Sequence, residues 1–490
     1  MRTAIAALTL GATVALACGN EADFERLRIV RRAAASSAAV SSHASAAASS
    51  AHRSASTAPA AISGPASSAA AATVAAATRT DEASAAAVTN PAQECAYYSY
   101  PPVAALQAAK VFPPIWEIAD LSTAQPDVLA LFNSLNSTIP KIAPKGTPTG
   151  DFTSVNYDGN ADADCWWTWK QCTTPKLEGL PDDIAHCPEP NTWGFTLDDG
   201  PNCSHNAYYD YLEQQNQKAT LFYIGSNVLD WPLEAQRGLD DGHEICSHTW
   251  SHRYMTSLTN EQVFAELYYS KLAVKQVLGI TTQCWRPPYG DVDDRVRYIA
   301  NALGMSTILW IDNTFDYEVA TLGLPAVQAN YDAILAKGKN GTFNTAGTIV
   351  LTHELNNDTM SISQQYLPKI KEAFKYVVPV GTCQNNTNQY VESGYSYPDF
   401  AQYIAGTTTM SRSAATAVST AASMSIPLSS GASGSISATV GYASAAKTGD
   451  SSSTAGSSAA YPAVKVDGVF GALAAVVVGA VAAGVGAVLI

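Results

Sequence analysis

Short apolar runs alternate with helix-like segments from residue 193 onward. The runs have the length of buried strands, and we predict strands at residues 193–197, 219–224, 244–247, 306–309, 348–351 and 377–380. Helices are predicted at residues 260–278, after a capping box at Thr259, and at 293–303 and 325–337. Alternation of this kind indicates an α/β fold with a parallel sheet or barrel. Catalytic groups on such folds gather at the carboxyl ends of the strands.

Two arms of small residues confine the core to the middle of the chain. Residues 33–89 are almost wholly Ala, Ser, Thr and Val, and residues 407–460 return to that composition. Such segments have few large side chains to bury, so we expect them to be extended and disordered. The predicted parts are a low-complexity segment (18–92), an N-terminal extension packed on the main domain (93–187), the main domain (188–405) and a Ser/Thr-rich stalk (406–460).

Both ends resemble targeting signals. Residues 1–17 combine Arg2, an apolar run and a small-residue end, which predicts a secretory signal peptide. Residues 461–490 combine a polar spacer with an uncharged apolar run, which predicts a GPI-anchor signal that is removed after attachment at Gly456. The alternative is a C-terminal transmembrane helix, but no basic stop-transfer cluster follows the run. We expect a secreted, monomeric protein that a GPI lipid anchors to the plasma membrane and cell wall.

Cysteines and glycosylation sequons fit a secreted chain. Of nine cysteines, Cys18 lies at the predicted cleavage boundary, and the other eight are Cys95, Cys165, Cys172, Cys187, Cys203, Cys246, Cys284 and Cys383. An even set indicates disulfides of undetermined pairing, although Cys246 is alternatively a buried thiol. N-glycosylation is predicted at Asn136, Asn340, Asn357 and Asn385, with Asn202 a poorer candidate.

The charge balance narrows the class of partner. The chain carries 28 basic and 42 acidic residues, for a formal net charge of -14. Phosphate contacts need clustered Lys and Arg, so we expect no nucleic-acid partner. The balance is compatible with a neutral or cationic polymer as substrate or product.

Two aspartates and two histidines could make a metal site. Asp198 and Asp199 follow the first predicted strand, and His248 and His252 follow the third. Imidazoles four positions apart fall on one face of a helical turn, and one aspartate would complete a three-ligand set with open coordination positions. The second aspartate is then available as a base. Either motif alone is weak, and local sequence leaves the two aspartates interchangeable.

Four motifs together resemble one enzyme family. They are Thr-Leu-Asp-Asp-Gly (196–200), Ser-His-Thr-Trp-Ser-His (247–252), Arg-Pro-Pro-Tyr-Gly-Asp (286–291) and Leu-Thr-His (351–353). In order and spacing they resemble motifs of the polysaccharide deacetylases of carbohydrate esterase family four, the NodB homology domain, and among these the fungal chitin deacetylases. The resemblance covers about residues 190–400. It implies a distorted (β/α) barrel with fewer than eight regular units, and removal of N-acetyl groups from chitin to give chitosan and acetate.

The resemblance also separates the two aspartates. It implies that Asp199, His248 and His252 bind one divalent metal ion, expected to be zinc, with cobalt as the alternative. Asp198 would be the general base that takes a proton from the attacking water. Arg286 would hold Asp198 by a charge-assisted fork of two hydrogen bonds.

Further roles follow from the same resemblance. The backbone N–H of Tyr289 would stabilise the oxyanion, and His353 would protonate the departing amine. Asp316 matches the carboxylate that orients the catalytic histidine. Its motif is imperfect, because Asn313 and Tyr317 stand where relatives usually carry Asp and Trp.

Several aromatic and apolar residues have two interpretations. Leu351, Trp285 and Tyr317 are candidate walls of an acetyl pocket, or plain core residues. Trp166, Trp167 and Trp169 are either a sugar-stacking platform or, as we favour, a small local core beside a disulfide. The alternative functions are deacetylation of another polysaccharide, or a non-catalytic wall mannoprotein that binds chitin through these tryptophans.

Overall fold

A curved parallel sheet forms the centre of the protein in the computed structural model, which describes residues 79–413, 422–427 and 435–440. Its strand order is β5-β4-β3-β2-β1-β7-β6, and β8 also pairs with β1. Every pairing in this sheet is parallel, as the sequence predicts. The strands are β1 Thr192–Gly200, β2 Thr220–Tyr223, β3 Glu244–Ser247, β4 Cys284–Trp285, β5 Ser306–Thr307, β6 Asp312–Asn313, β7 Thr348–Leu351 and β8 Tyr376–Val378.

Helices connect the strands and cover the sheet. In the main domain they are α6 Asn206–Gln214, α7 Gly225–Asp230, α8 Pro232–Asp240, α9 Asn260–Leu278, α10 Asp294–Ala302, α11 Val319–Leu322, α12 Leu324–Lys339, α13 Asn357–Ala373, α14 Val380–Cys383 and α15 Phe400–Ile404. Before the sheet come α1 Glu82–Ala86, α2 Pro91–Glu94, α3 Pro101–Ala108, α4 Pro126–Asn136 and α5 Trp167–Lys170. The predicted distorted (β/α) barrel is confirmed, with two-residue strands where the barrel is irregular.

Helix α9 shows why the local prediction succeeded. The Thr259 hydroxyl accepts a hydrogen bond from the backbone N–H of Gln262, and the Gln262 side chain accepts one from the backbone of Thr259. This reciprocal pair satisfies two N–H groups that have no partner inside the helix. At the other end Gly279 adopts a left-handed conformation, with φ 78°, that stops the helix. Fourteen of its residues are buried, so packing reinforces both caps.

All eight predicted cysteines pair. The disulfides are Cys95–Cys203, Cys165–Cys172, Cys187–Cys383 and Cys246–Cys284. The alternative of a buried free thiol at Cys246 is therefore wrong, because strands β3 and β4 lie side by side and bring Cys284 to it. The Cys95 bond ties the N-terminal extension to the loop that follows β1.

The ordered region is longer than predicted at both ends. Helix α1 lies inside the predicted low-complexity segment 18–92, because a capping box at Asp81 starts it and Arg79 reaches the buried Glu234 of α8. Beyond residue 405, strand Ser411–Arg412 (β10) pairs with Tyr395–Ser396 (β9), and a second pair joins Ala422–Pro427 (β11) to Ser435–Val440 (β12). An ion pair to the main domain at one end and strand pairing at the other thus order segments whose composition alone predicts disorder.

The predicted signal peptide, the GPI signal with Gly456 and most of both arms lie outside the described residues. Within the described part of the chain, no helix is both long enough and apolar enough to cross a bilayer.

Buried ion pairs attach the N-terminal extension to the main domain. The Lys145 ammonium lies 2.5 Å from Asp164 and 2.7 Å from Asp293, the N-cap residue of α10. Arg297 of α10 pairs with Asp183 at 2.7 Å and donates to the Cys165 carbonyl. These groups are buried, so each charge depends on its partner for stabilisation.

We predict that Lys145→Met lowers the free energy of unfolding by about 3–5 kcal/mol, because it leaves two buried carboxylates without their cation. The matched control is Arg412→Met, whose guanidinium pairs with Asp240 at 2.6 Å in a contact where the two side chains are 39% and 43% exposed. That change should cost less than about 1 kcal/mol. Chemical unfolding measures both. Equal losses in the two variants would contradict a docking role for Lys145.

Candidate active site

The end of β1 gives its two aspartates different surroundings. The pairing of β1 with β2 shifts register between Asp198 and Gly200, and Asp199 adopts a left-handed backbone with φ 71°. Such a conformation is rare for a residue with a side chain. The Asp198 side chain contacts Arg286, whereas the Asp199 side chain contacts the two histidines.

Three candidate metal ligands converge above the end of β1. Asp199 Oδ1 lies 3.1 Å from His252 Nε2 and 3.4 Å from His248 Nε2. The opposite ring nitrogens are held: His248 Nδ1 lies 2.8 Å from the Arg286 carbonyl, and His252 Nδ1 lies 3.1 Å from the Tyr289 hydroxyl. With its proton on Nδ1, His248 directs the Nε2 lone pair toward Asp199. In metal-binding histidines, a hydrogen bond from the other ring nitrogen orients the ring in the same way.

The donor set fits a divalent metal ion. Asp199 Oδ1 is buried and accepts no hydrogen bond. Buried carboxylate oxygens normally have a partner, so one facing two imidazole nitrogens indicates a place for a cation. Burial alone would raise the pKa of Asp199, but the neighbouring His252 and His248 outweigh it and hold that pKa well below its usual value. The carboxylate is therefore ionised and able to bind metal.

The histidine segment is a loop, so the predicted helical turn is wrong. Thr249 and His252 have left-handed backbones, with φ 64° and 56°. The Glu266 carboxylate of α9 accepts hydrogen bonds from the backbones of Trp250 and Ser251. The first residue of the earlier helix α7 also holds the loop, since the Gly225 backbone N–H donates to the Thr249 carbonyl. Tertiary contacts, rather than helical periodicity, bring the two imidazoles together.

Asp198 is paired with an arginine in the barrel interior. Arg286 Nη1 donates to Asp198 Oδ1 at 2.6 Å and to the Thr196 hydroxyl at 2.9 Å. The guanidinium lies 4.0 Å from the centre of the Phe222 ring and is fully buried. The predicted fork of two bonds to Asp198 is wrong, because the other guanidinium nitrogens donate to the carbonyls of residues 308 and 309.

His353 lies beside Asp198 and is held by Asp316. It follows β7, where Asp198 N–H donates to the Thr352 carbonyl at 3.0 Å. Asp316 Oδ1 lies 2.6 Å from His353 Nδ1, and Asp316 Oδ2 accepts the His353 backbone N–H at 2.8 Å. Burial opposes protonation of the ring, but the Asp316 charge outweighs it and raises the pKa of His353 to about 9. The imidazole is therefore protonated at neutral pH.

The Tyr289 loop closes another side of the site. Tyr289 has φ 59°, and its ring stacks on Tyr254 with centroids 4.0 Å apart. The next residue must be glycine, because a Cβ at Gly290 would lie 2.1 Å from the Trp167 ring. The loop therefore packs directly on the N-terminal extension.

Comparison with known proteins agrees with this geometry. The family model described as polysaccharide deacetylase matches residues 185–308. Chitin deacetylase 2 of Cryptococcus neoformans var. grubii is 55% identical over 327 residues, which are 65% of this chain and 71% of that protein. The chain belongs to the polysaccharide deacetylase family.

Other relatives of this deacetylase carry similar names. A chitin deacetylase of Amylomyces rouxii is 49% identical over 310 residues, covering 62% of this chain and 73% of that protein. The solved structure of a chitin deacetylase from Colletotrichum lindemuthianum is 24% identical, with a TM-score of 0.40, and covers 43% of this chain and 96% of that one. Polysaccharide deacetylases depend on a metal ion. In this chain, candidate ligands for one are Asp199, His248 and His252.

The predicted pocket walls of the deacetylase differ in their surroundings. Trp285 is fully buried and its indole N–H donates to Thr307, which is the environment of a core residue. Tyr317 is only partly buried and its ring meets that of His353 with centroids 4.9 Å apart. Leu351 is the last residue of β7 and is 4% exposed. Of the three, Tyr317 is the residue whose ring contacts His353, the proposed proton donor.

The tryptophan triplet forms a local core, as favoured from the sequence. Trp166 and Trp167 are completely buried, and Trp169 is partly buried against Trp166, with centroids 5.8 Å apart. Completely buried indoles cannot present a face to sugar, so the predicted alternative of a three-tryptophan platform is wrong.

The four predicted sequons have exposed asparagines, namely Asn136, Asn340, Asn357 and Asn385.

Three supporting residues were not found from the sequence. The Asn227 side chain donates to the Asp199 carbonyl at 2.8 Å. Asp291 is fully buried and accepts from the Trp166 indole and the Thr256 backbone, which anchors the Tyr289 loop. Glu354 lies under the site, and burial raises its pKa to about 8. Only Asp291 stands within a recognised motif; the other two acquire their roles from folding.

We predict that Asp316→Asn shifts the alkaline limb of the pH–activity profile to lower pH by about one to two units. Without the carboxylate, burial lowers the pKa of His353, so the protonated ring is lost as the pH rises through a lower value. Initial rates across the pH range measure the shift. The control is Asp312→Asn, a buried aspartate that accepts from Thr348 and leaves His353 untouched. An unchanged limb would contradict His353 as the proton donor.

Proposed function

We propose that this protein hydrolyses the N-acetyl amides of N-acetylglucosamine units in chitin, yielding chitosan and acetate during cell wall remodelling. Family membership supports deacetylation, and the named relatives support chitin as the polymer. One observation carries the proposal: the two neighbouring aspartates have separate partners. Asp199 faces His248 and His252, whereas Asp198 is paired with Arg286.

That separation supports two different roles for two similar carboxylates. Asp199, His248 and His252 would hold one divalent ion, which we propose to be zinc, with cobalt as a substitute. When bound, the ion supplies Lewis-acid polarisation of the acetyl carbonyl and of the attacking water. Nitrogen and carboxylate oxygen are ligands that zinc accepts, and three protein ligands leave positions open for substrate.

Asp198 is proposed as the general base. Its Oδ1 atom is engaged by Arg286, which fixes the carboxylate and leaves Oδ2 on the side of His248, 3.8 Å from Nε2. Asp198 takes one proton from water while the water oxygen forms a bond to the acetyl carbon. The backbone N–H of Tyr289 is proposed to donate to the oxygen that becomes negative.

His353 is proposed as the general acid. Its ring is protonated at neutral pH because Asp316 raises its pKa to about 9. It gives a proton to the sugar nitrogen as the carbon–nitrogen bond breaks, so the amine departs rather than an unstable amide anion. Asp316 maintains the ring orientation through Nδ1, which leaves Nε2 as the proton-donating atom.

The working place of the enzyme is proposed to be the cell surface. Four disulfides are typical of an oxidising, extracytoplasmic compartment. We also propose a monomeric state, and the terminal segments and sequons support secretion, GPI anchoring with Gly456 as the attachment residue, and glycosylation at the four exposed sequons.

We predict that Asp198→Asn abolishes measurable acetate release from chitin oligomers while metal remains bound, because the base is lost but the ligands are kept. Asp199→Asn is the matched variant and should lose both metal and activity. Metal content by elemental analysis and acetate release by coupled assay separate the two. Full activity in the Asp198 variant would remove this residue from the mechanism.

We also predict that chelation abolishes acetate release and that zinc restores it, with cobalt as a partial or full substitute. The same assay should be run on chitin oligomers, acetylxylan and peptidoglycan glycan. Release from chitin oligomers alone supports the proposed substrate. Preferential release from another polymer would replace it, and a chain that binds no stoichiometric metal after zinc addition would favour a non-catalytic binder.

A further inference from the structure

The residue after His353 reaches back to the strand that carries the two aspartates. The backbone N–H of Glu354 donates to the Asp198 carbonyl at 3.0 Å, and the Asp198 backbone N–H donates to the Thr352 carbonyl at the same distance. These two bonds continue the parallel pairing of β1 with β7 past the end of β7. The segment of the proposed acid is therefore joined directly to the segment of the proposed base.

The Glu354 carboxyl group lies against the turn that follows Asp199. A Cβ at Gly200 would overlap Glu354 Oε1 and lie 2.6 Å from the carboxyl carbon. Gly200 is the last residue of β1, and its φ is outside the left-handed region. The lack of space, rather than the backbone conformation, therefore requires glycine at this position.

Both sides of this contact are fixed. Glu354 is fully buried, and its Oε2 atom accepts the hydroxyl of Tyr209, a fully buried residue of α6, at 2.7 Å. On the other side, the Gly200 carbonyl accepts the backbone N–H of Ile224 at 2.8 Å. A side chain held in this way has few alternative positions in a packed interior, so it supports the turn rigidly.

The other carboxyl oxygen gains nothing from burial. Glu354 Oε1 is buried and has no hydrogen-bond partner in the part of the chain that the structure describes. An unpaired buried oxygen is destabilising, and an apolar side chain of similar size would fill the same space without that loss. The residue type therefore favours a role in position over a role in stability alone.

The position of Gly200 matters because of the residue before it. Asp199 has a left-handed backbone, with φ 71°, and its carbonyl accepts the Asn227 side chain at 2.8 Å. Such a conformation persists only where the surroundings enforce it. If Gly200 moved, Asp199 would relax to a commoner conformation and its carboxylate would turn away from the two histidines.

We propose that Glu354 is a positioning residue that holds the Gly200 turn in place and thereby directs the Asp199 carboxylate toward His248 and His252. This inference rests on the proposed function, since these three residues are the proposed metal ligands. Groups that orient metal ligands typically change metal affinity about 10- to 100-fold when they are replaced.

The first test measures zinc affinity by competition with a chelator. Glu354→Ala should weaken zinc binding about 10- to 100-fold. Glu354→Gln keeps the shape and an acceptor for Tyr209, and its affinity should stay close to that of the parent protein. Burial raises the pKa of Glu354 to about 8, so the carboxyl group is protonated at neutral pH and an amide is a close substitute. Unchanged affinity after Glu354→Ala, or equal losses in the two variants, would overturn the proposal.

A double-mutant cycle tests the contact itself. Gly200→Ala alone should weaken zinc binding about tenfold or more, because the new methyl group displaces the turn from Glu354. When Glu354→Ala is already present, the same change should weaken binding less than about threefold, because the space is free. Equal losses of affinity in the two backgrounds would contradict the proposed coupling and overturn the proposal.

Glu244→Ala is the control for folding. Glu244 is also a buried carboxyl group, accepting hydrogen bonds from Thr220 and Gly381, but it is the first residue of β3, at the end of the strand away from His248. Its removal should lower the melting temperature and leave the zinc affinity of the folded protein unchanged. A loss of affinity as large as that of Glu354→Ala would overturn a specific role for Glu354.

Failure of this inference is distinguishable from failure of the proposed function, because neither measurement needs turnover. If the parent protein binds zinc but releases no acetate, the cycle still decides the role of Glu354. If the parent protein binds no zinc, melting temperatures of the same four proteins decide it. Gly200→Ala should then lower the melting temperature in the parent background and leave it nearly unchanged in the Glu354→Ala background, and equal decreases would overturn the proposal.

Discussion

The buried contact between Arg286 and Asp198 is the interaction on which the site depends. The arginine lies inside the barrel between the rings of Phe222 and Trp310, and it also donates to Thr196. Removing one partner of such a pair leaves an uncompensated buried charge, which typically costs about 3–5 kcal/mol. The same contact joins β1 to the loop after β4 and fixes the proposed base. Stability of the barrel and orientation of the proposed base therefore share one physical cause.

The N-terminal extension completes the site in a similar way. Tyr289 forms an aromatic cluster with Tyr254 of the histidine segment and with Phe152 and Trp166 of the extension. Buried Asp291 links the tryptophan to the same loop. Aromatic rings and a buried carboxylate have few alternative arrangements in a packed interior. These contacts therefore hold Tyr289 in its left-handed backbone conformation. The proposed oxyanion donor thus depends on residues outside the catalytic domain.

Local signals predicted the regular parts of the fold well. The capping box at Thr259 fixed the start of α9, and the apolar runs located six strands of the central sheet. The strands β4 and β6 were missed because each has two residues and neither lies in an apolar run, whereas the equally short β5 begins the run 306–309. Helix α13 was missed because it is largely polar and contains Pro368, which lowers local helix preference. Its buried face is specified by packing on neighbouring elements.

The sequence by itself determined the class of fold, the candidate ligands and the ordered set of motifs, since these depend on residue identity and spacing along the chain. Only the tertiary structure gave Asp198 and Asp199 different partners, through the register shift at the end of β1 and a left-handed backbone at Asp199. Contacts between distant segments determine where a side chain points and which residues lie near it, and the local sequence encodes neither.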